Sequence, residues 1–149
     1  MPHHIEEDDA RSLKLFVVLS KAYRTINDHA IRDMKQYGLS PSEFMVLELL
    51  YTKRRIPLQQ IGEKVLITSG SITYNIDKLE KKQFLKRVPC TEDRRVIYAE
   101  ITEAGHTFFD QIFPQHAATI HNLLDGLSPE EKLTAIELIK KLGKRAEHG

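Results

Sequence analysis

Ser69, Ser71, Thr73 and Tyr74, followed closely by Lys78 and Lys81, gather hydroxyls, one phenol and two amines in a short stretch. Hydroxyls and amines donate hydrogen bonds to phosphate oxygens, a threonine methyl packs on a thymine methyl, and a tyrosine stacks on or bonds to a nucleic-acid backbone. Ile72, Ile76 and Leu79 are interleaved with them at i, i+4 and i+7, the spacing of one buried helical stripe. A short helix with one apolar stripe and small, hydroxyl and basic residues elsewhere fits the major groove of DNA. Hydroxyls at its N-terminus also gain the positive end of the helix dipole. Asn75 falls at the edge of the buried face. The same residues also read as an ordinary cap and solvated surface, so the flanking elements must decide.

On the N-terminal side, Leu58, Ile61 and Val65 give a short helix its apolar face. Leu66-Ile67-Thr68 reads as a turn, with Thr68 or Ser69 capping the helix over residues 69–82. Two helices joined this way are common in helical proteins. The C-terminal side is more specific. Residues 84–88 read as one strand and residues 96–101 alternate as a second, joined by the charged loop Pro89-Cys90-Thr91-Glu92-Asp93-Arg94-Arg95. A helix-turn-helix leading into such a hairpin is a winged-helix arrangement.

The remaining chain is helical. Residues 11–37 carry two adjacent apolar stripes, one through Leu15, Leu19, Ala22, Ile26, Ala30 and Met34, the other through Leu13, Phe16 and Val17. At about 1.5 Å per residue this helix reaches roughly 40 Å, and two stripes imply burial against its own domain and against a second subunit. Gly38 ends it. Ser40-Pro41-Ser42-Glu43 and Ser128-Pro129-Glu130-Glu131 repeat a Ser-Pro-x-Glu capping box, each opening a helix. Ile56 reads as a brief strand. Thr102 caps a helix running to about Asp125, which Pro114 is expected to kink or split.

Composition sets bounds. The 149 residues are 41% hydrophobic and 29% charged, ordinary for one soluble globular domain. Net charge is only +1, yet residues 53–95 hold 11 basic and 5 acidic side chains while the flanks are acidic. A basic middle fits one polyanion-facing surface, and on composition alone equally a solvated surface with random clustering. No apolar run approaches the roughly 20 residues of a membrane span. The acidic, histidine-bearing N-terminus does not read as a signal peptide, so the expected location is cytoplasmic. A single cysteine, Cys90, rules out an intrachain disulfide and a Cys-rich zinc site. His116 and His121 are five apart, not the four of a helical metal pair. There is no phosphate-binding glycine loop, nucleophile elbow or supported carboxylate pair. The expectation is a non-enzyme with no cofactor and no metal.

The order of elements resembles the multiple antibiotic resistance regulator (MarR) family over nearly the whole chain. The run from Asp93 to Gly105 looks like that family's wing signature, in which Asp-x-Arg precedes a strand and then an apolar-Thr-x-x-Gly helix start. Residues 67–73 and Leu79-Glu80-Lys81-Lys82 resemble its recognition helix and exit. The family usually has glycine after that exit, where this chain has Gln83.

The resemblance implies a mainly α fold with a small β-wing: an acidic arm over residues 1–10, dimerisation helices over 11–37 and 102–147, and a winged helix-turn-helix over 38–101. It implies a homodimer on a pseudo-palindromic double-stranded operator. Such proteins are mostly repressors, released by a small phenolic or aromatic ligand or by thiol oxidation. Arg95 is then expected at the wing tip in or near the minor groove, oriented by Asp93. Arg94 and Lys78 are expected on phosphates beside Ser69, Ser71, Thr73 and Tyr74. An effector pocket is expected between the dimer helices and the winged domain, with Phe16, Tyr23, Met45 and Phe108 as candidates. Cys90 reads as a passive wing cysteine, since redox-sensing relatives often carry their thiol in the first helix. A winged-helix protein-interaction module without DNA binding is the alternative.

Overall fold

The computed structural model describes residues 4–65 and 69–148, and the side chains of all of these except residues 69 and 70. The elements in order are α1 (Glu7–Gln36), α2 (Pro41–Lys53), β1 (Arg55–Pro57), α3 (Leu58–Lys64), α4 (Ser69–Lys81), β2 (Leu85–Pro89), β3 (Ile97–Ile101), α5 (Glu103–Leu123) and α6 (Pro129–Glu147). The turn expected at residues 66–68 and a cap at Thr68 lie outside the described residues.

Local chemistry sets most of these boundaries. α1 starts at Glu7, four residues before the expected Arg11, so it takes up the end of the segment expected as an arm. Glu7, Asp8 and Asp9 form its first turn, where negative charge meets the positive end of the helix dipole, and Arg11 pairs with Glu7 at 2.7 Å. Gly38 ends the helix at φ +80°, a conformation other side chains resist. Both capping boxes form. Glu43 and Ser40 exchange bonds of 3.1 Å at the start of α2, and Glu131 and Ser128 do the same at α6.

α5 remains one helix through Pro114, so of the expected kink or split the split does not occur. Proline denies a backbone donor to the turn before it, and the Gln115 side-chain amide donates to the Gln111 carbonyl at 3.2 Å in that turn. At the other end of α5, the Thr102 hydroxyl caps Gly105 N–H at 3.0 Å. A Cβ at Gly105 would collide with the Phe84 carbonyl oxygen, so the Thr-x-x-Gly spacing is a close-approach requirement.

The sheet is antiparallel in the order β1-β3-β2. Ile56 faces Ala99, and Leu85 faces Ile101, which puts the inward residues of all three strands on one side. That side closes the core, where Phe44, Leu47, Leu50, Ile61, Leu79 and Phe109 are fully buried. Each such side chain contributes roughly 1.5–3 kcal/mol relative to exposure. The core therefore lies under the winged region, and α2, α4 and α5 converge on it.

The first half of α1 and all of α6 stand apart from this core. Phe16 is 68% exposed and Leu133 67%, and no residue of α6 is buried. No helix among the described residues is long and apolar enough to cross a membrane.

Candidate nucleic-acid interface

α4 takes the orientation its stripe predicts. Ile76 and Leu79 are buried and Ile72 is half-buried, which turns Thr73 and Tyr74 outward, Tyr74 to 61% exposure. Ser71 is half-buried, and its carbonyl accepts from the buried Asn75 side chain at 2.6 Å. Ser69 is the first residue of the helix, and its side chain lies outside the described set.

Lys78 is less free than expected. Lys78 Nζ sits 4.9 Å from the centre of the Tyr74 ring and 3.9 Å from Glu43. Lys82 bonds Glu43 at 2.7 Å and the Gly38 carbonyl at 3.2 Å. Glu43 is 2% exposed, and burial pushes its carboxyl upward. The bonds from Lys82 and from Ser40 outweigh that and leave it below its usual value. Asp77 and Glu80 hold Arg87 of β2, because that strand runs alongside α4.

α4 ends in a Schellman turn. Phe84 N–H bonds the Leu79 carbonyl at 3.0 Å and Gln83 N–H bonds the Glu80 carbonyl at 2.9 Å. Gln83 keeps the left-handed backbone of the usual glycine, at φ +68°. The turn into the wing is therefore retained at some conformational cost.

At the wing tip, Asp93 Oδ1 accepts from the Arg95 backbone N–H at 3.0 Å and from Arg95 Nε at 3.2 Å. These bonds hold the Asp93 carboxyl below its usual range. The Gln59 side-chain amide of α3 donates to the Arg95 carbonyl at 3.2 Å. The Arg95 side chain is 91% exposed, and Arg94 is exposed beside it. Cys90 is half-buried at the start of the loop. Two of the arginines near it in sequence, Arg87 and Arg95, are committed to carboxylates.

The four aromatic or soft residues expected to line an effector pocket are not gathered into one. Phe16 and Tyr23 are exposed on the uncovered half of α1, Met45 is half-buried on α2, and Phe108 stacks on Phe84 at 4.5 Å. The first two lack a facing element among the described residues. Sequence reasoning missed a polar cluster joining α1 to α5. Asp33 accepts from His116 Nδ1 at 2.8 Å, Thr119 at 3.0 Å, Tyr37 at 3.1 Å and Gln36 at 2.6 Å. Next to it, an open cavity of about 380 Å³ is lined by Glu48, Phe113, His116, Ile120 and Lys132, among others. Burial pushes the Glu48 carboxyl up, and the nearby His116 only partly offsets this. The available signal was Asp33, a carboxylate three residues after Ala30 on a buried stripe.

A recognition helix, a Schellman exit, a two-stranded wing with an exposed arginine and a third strand before the helix-turn-helix define a winged-helix protein. Residues 39–97 match the MarR family. The chain is 53% identical over 136 residues to the HTH-type transcriptional regulator MhqR of Bacillus subtilis (strain 168), covering 91% of this chain and 94% of the relative. It is 44% identical to the uncharacterized HTH-type transcriptional regulator YkoM of the same organism, covering 96% and 93%. The chain belongs to the MarR family of transcriptional regulators, which are not enzymes. The fold agrees. AbsC, a MarR family regulator from Streptomyces coelicolor, superposes with a TM-score of 0.82 at 17% identity, covering 99% of this chain and all (100%) of AbsC. Sco3205 from the same organism, solved in complex with DNA, gives 0.78 at 19% identity, covering 97% and 91%.

Proposed function

We propose that the protein is a homodimeric, sequence-specific repressor that binds a pseudo-palindromic double-stranded operator and is released by a small aromatic or phenolic ligand. The observation that carries DNA binding is the wing tip: Arg95 is 91% exposed yet oriented by Asp93, on a hairpin packed against α4. An exposed cation held in one orientation at its base is arranged for a target outside the protein. In this reading Arg95 enters or borders the minor groove and Arg94 meets phosphate. Thr73 and Tyr74 meet the major groove together with Ser69 and Ser71. Lys78 reaches a phosphate by leaving Tyr74.

Dimerisation is supported by apolar side chains that no described residue covers. Leu13, Phe16 and Val18 on α1 and Leu133, Leu138 and Ile139 on α6 are all about half exposed or more. Surface of this kind on long helices is the mark of a subunit interface. Residues 7–36 and 103–147 then serve as the dimerisation region, and residues 38–101 as the reading head. For the effector, the cavity beside His116 and Glu48 is the better seat than the four residues picked from sequence. It offers aromatic and aliphatic walls and two groups that bond a phenolic hydroxyl. Operator binding places the protein with the chromosome, in the cytoplasm. Sco3205, a MarR family regulator solved in complex with DNA, and Bordetella bronchiseptica BpsR, whose DNA binding is regulated by 6-hydroxynicotinic acid, are consistent with this reading.

The test is selection of duplexes from random DNA, followed by titration of Arg95→Ala against salt. The variant should bind at least tenfold more weakly, with the slope of log K against log salt shallower by about one contact, and the dimer intact. Failure of the wild type to select any duplex would favour a protein-interaction module instead.

A further inference from the structure

Arg87 lies on β2, outside the residues marked for DNA contact, and its guanidinium is engaged on both sides. Nη2 donates to Asp77 Oδ1 at 2.6 Å, Nη1 donates to Glu80 Oε1, and the backbone N–H reaches Glu80 Oε2 at 3.4 Å. Its side chain is 29% exposed, against 91% for Arg95, so its charge is directed inward to the two carboxylates. Asp77 and Glu80 stand at i and i+3 on one face of α4, a separation that a rigid planar guanidinium fork spans with a fixed donor for each carboxylate, where a flexible ammonium would supply only a point charge. Arg87 also lines, with Gln59, Ile72 and Thr73, a cleft of about 280 Å³ between α4 and the wing. Gln59 in turn holds the Arg95 carbonyl. α4 is thus fastened to a wing strand in its second half, and the wing tip is fastened to α3.

We propose that Arg87 is a positioning residue whose fork onto Asp77 and Glu80 fixes the angle between the recognition helix and the wing, so that Thr73, Tyr74 and Arg95 meet one duplex together. This rests on the proposed DNA-binding function. It differs in its consequences from two simpler roles for a basic residue here. A direct phosphate contact would need only the positive charge. A neutralising role would need only that Asp77 and Glu80 not repel DNA.

The experiment uses the full chain and a labelled duplex that the wild type has selected from random DNA, with affinity read by fluorescence anisotropy across a salt series. Three variants are compared: Arg87→Ala, Arg87→Lys, and Asp77→Asn combined with Glu80→Gln. Arg87→Ala should lose at least tenfold in affinity with an unchanged salt slope, and Arg87→Lys should recover only a minor part of that loss. The paired amide variant is near-isosteric and keeps the arginine. It should also lose at least tenfold, although it removes two negative charges from a helix that faces a polyanion. Amide hydrogen exchange without DNA should be faster in α4 of these variants and unchanged in α2. A salt slope shallower by about one with Arg87→Ala, together with full rescue by lysine, would overturn the proposal in favour of a phosphate contact. Equal or tighter binding by the paired amide variant would overturn it in favour of neutralisation. Faster exchange in α2 and α4 alike would reduce Arg87 to a general stabiliser. If the wild type selects no duplex, the DNA-binding reading itself fails, a result separate from any of these.

Discussion

Glu43 links the start of α2 to the end of α4, and its removal should be felt by both. The carboxylate accepts from Ser40 N–H at 3.1 Å, pairs with Lys82 at 2.7 Å, and lies 3.9 Å from Lys78, all while 2% exposed. The capping bond is worth about 0.5–1.5 kcal/mol net, and the charged bond to Lys82 about 1.5–3 kcal/mol. Breaking a fully buried ion pair costs roughly 3–5 kcal/mol because the orphaned charge stays buried. Lys82 is 35% exposed and can return to water, so the pair here belongs below that range. Glu43→Ala should therefore destabilise by about 3 kcal/mol. Glu43→Gln keeps an acceptor for Ser40 N–H but loses the charge, and should cost about 2 kcal/mol.

Urea denaturation at fixed protein concentration measures both, since the proposed dimerisation would make apparent stability concentration-dependent. The pH dependence supplies a second reading. The folded carboxyl lies below its ordinary value of 4.5, so its contribution is complete above that pH and is lost as pH falls through the lower, folded value. The gap between wild type and Glu43→Gln should accordingly close in acid. A Glu43→Ala cost under about 0.5 kcal/mol, typical of an exposed pair, would refute this account of the α2–α4 link. So would a gap that persists unchanged in acid.

Two further outcomes are expected from other elements. Gln83→Gly should stabilise by about 0.5–1 kcal/mol, because φ +68° strains glutamine and not glycine, and thermal unfolding would detect it. Tyr37 is pushed up to about 12 by burial and by the neighbouring Asp33 carboxylate. Asp33→Asn should lower that value in an ultraviolet titration, and should weaken the α1–α5 junction by leaving the buried His116 without its charged partner.

The winged fold was legible because its determinants are local. The 3.6-residue spacing of Ile72, Ile76 and Leu79, the alternation through Ile97, Ala99 and Ile101, and the two capping boxes each act within a few residues of chain. The Asp93–Arg95 pairing was legible for the same reason, since the two are separated by a single residue. What was not legible depends on approach in space. Asp33 and His116 are 83 residues apart in sequence. Arg87 reads as one more basic residue until β2 is laid against α4, and only then do Asp77 and Glu80 become its partners. The start of α1 was misplaced for a different reason. Glu7, Asp8 and Asp9 look like a solvated tail by charge alone, yet acidic residues are what a first helical turn favours. Phe16 and Tyr23 are pocket candidates from the sequence only because they are aromatic, and both are exposed in the single chain, which does not by itself supply the expected facing dimer helices.

The reading head depends on other elements for its orientation. α4 is 13 residues long, near the length at which an isolated helix is marginal in water. Lys82 ties its exit to Glu43 of α2, and Arg87 ties its outer face to β2. The Phe84 carbonyl just beyond α4 accepts from Thr102 N–H at 3.0 Å, at the start of α5. Through α5 the head is joined to Asp33 of α1, the helix whose outer half is apolar and uncovered. A continuous path of bonded elements therefore runs from the recognition helix to the surfaces assigned to dimerisation, and it passes His116 and the cavity beside it. A ligand that wedges α5 there would not need to touch the DNA-facing residues. By turning α5 against α1 it would, in the proposed dimer, change the spacing of two heads that would have to match successive turns of one duplex, roughly 34 Å apart.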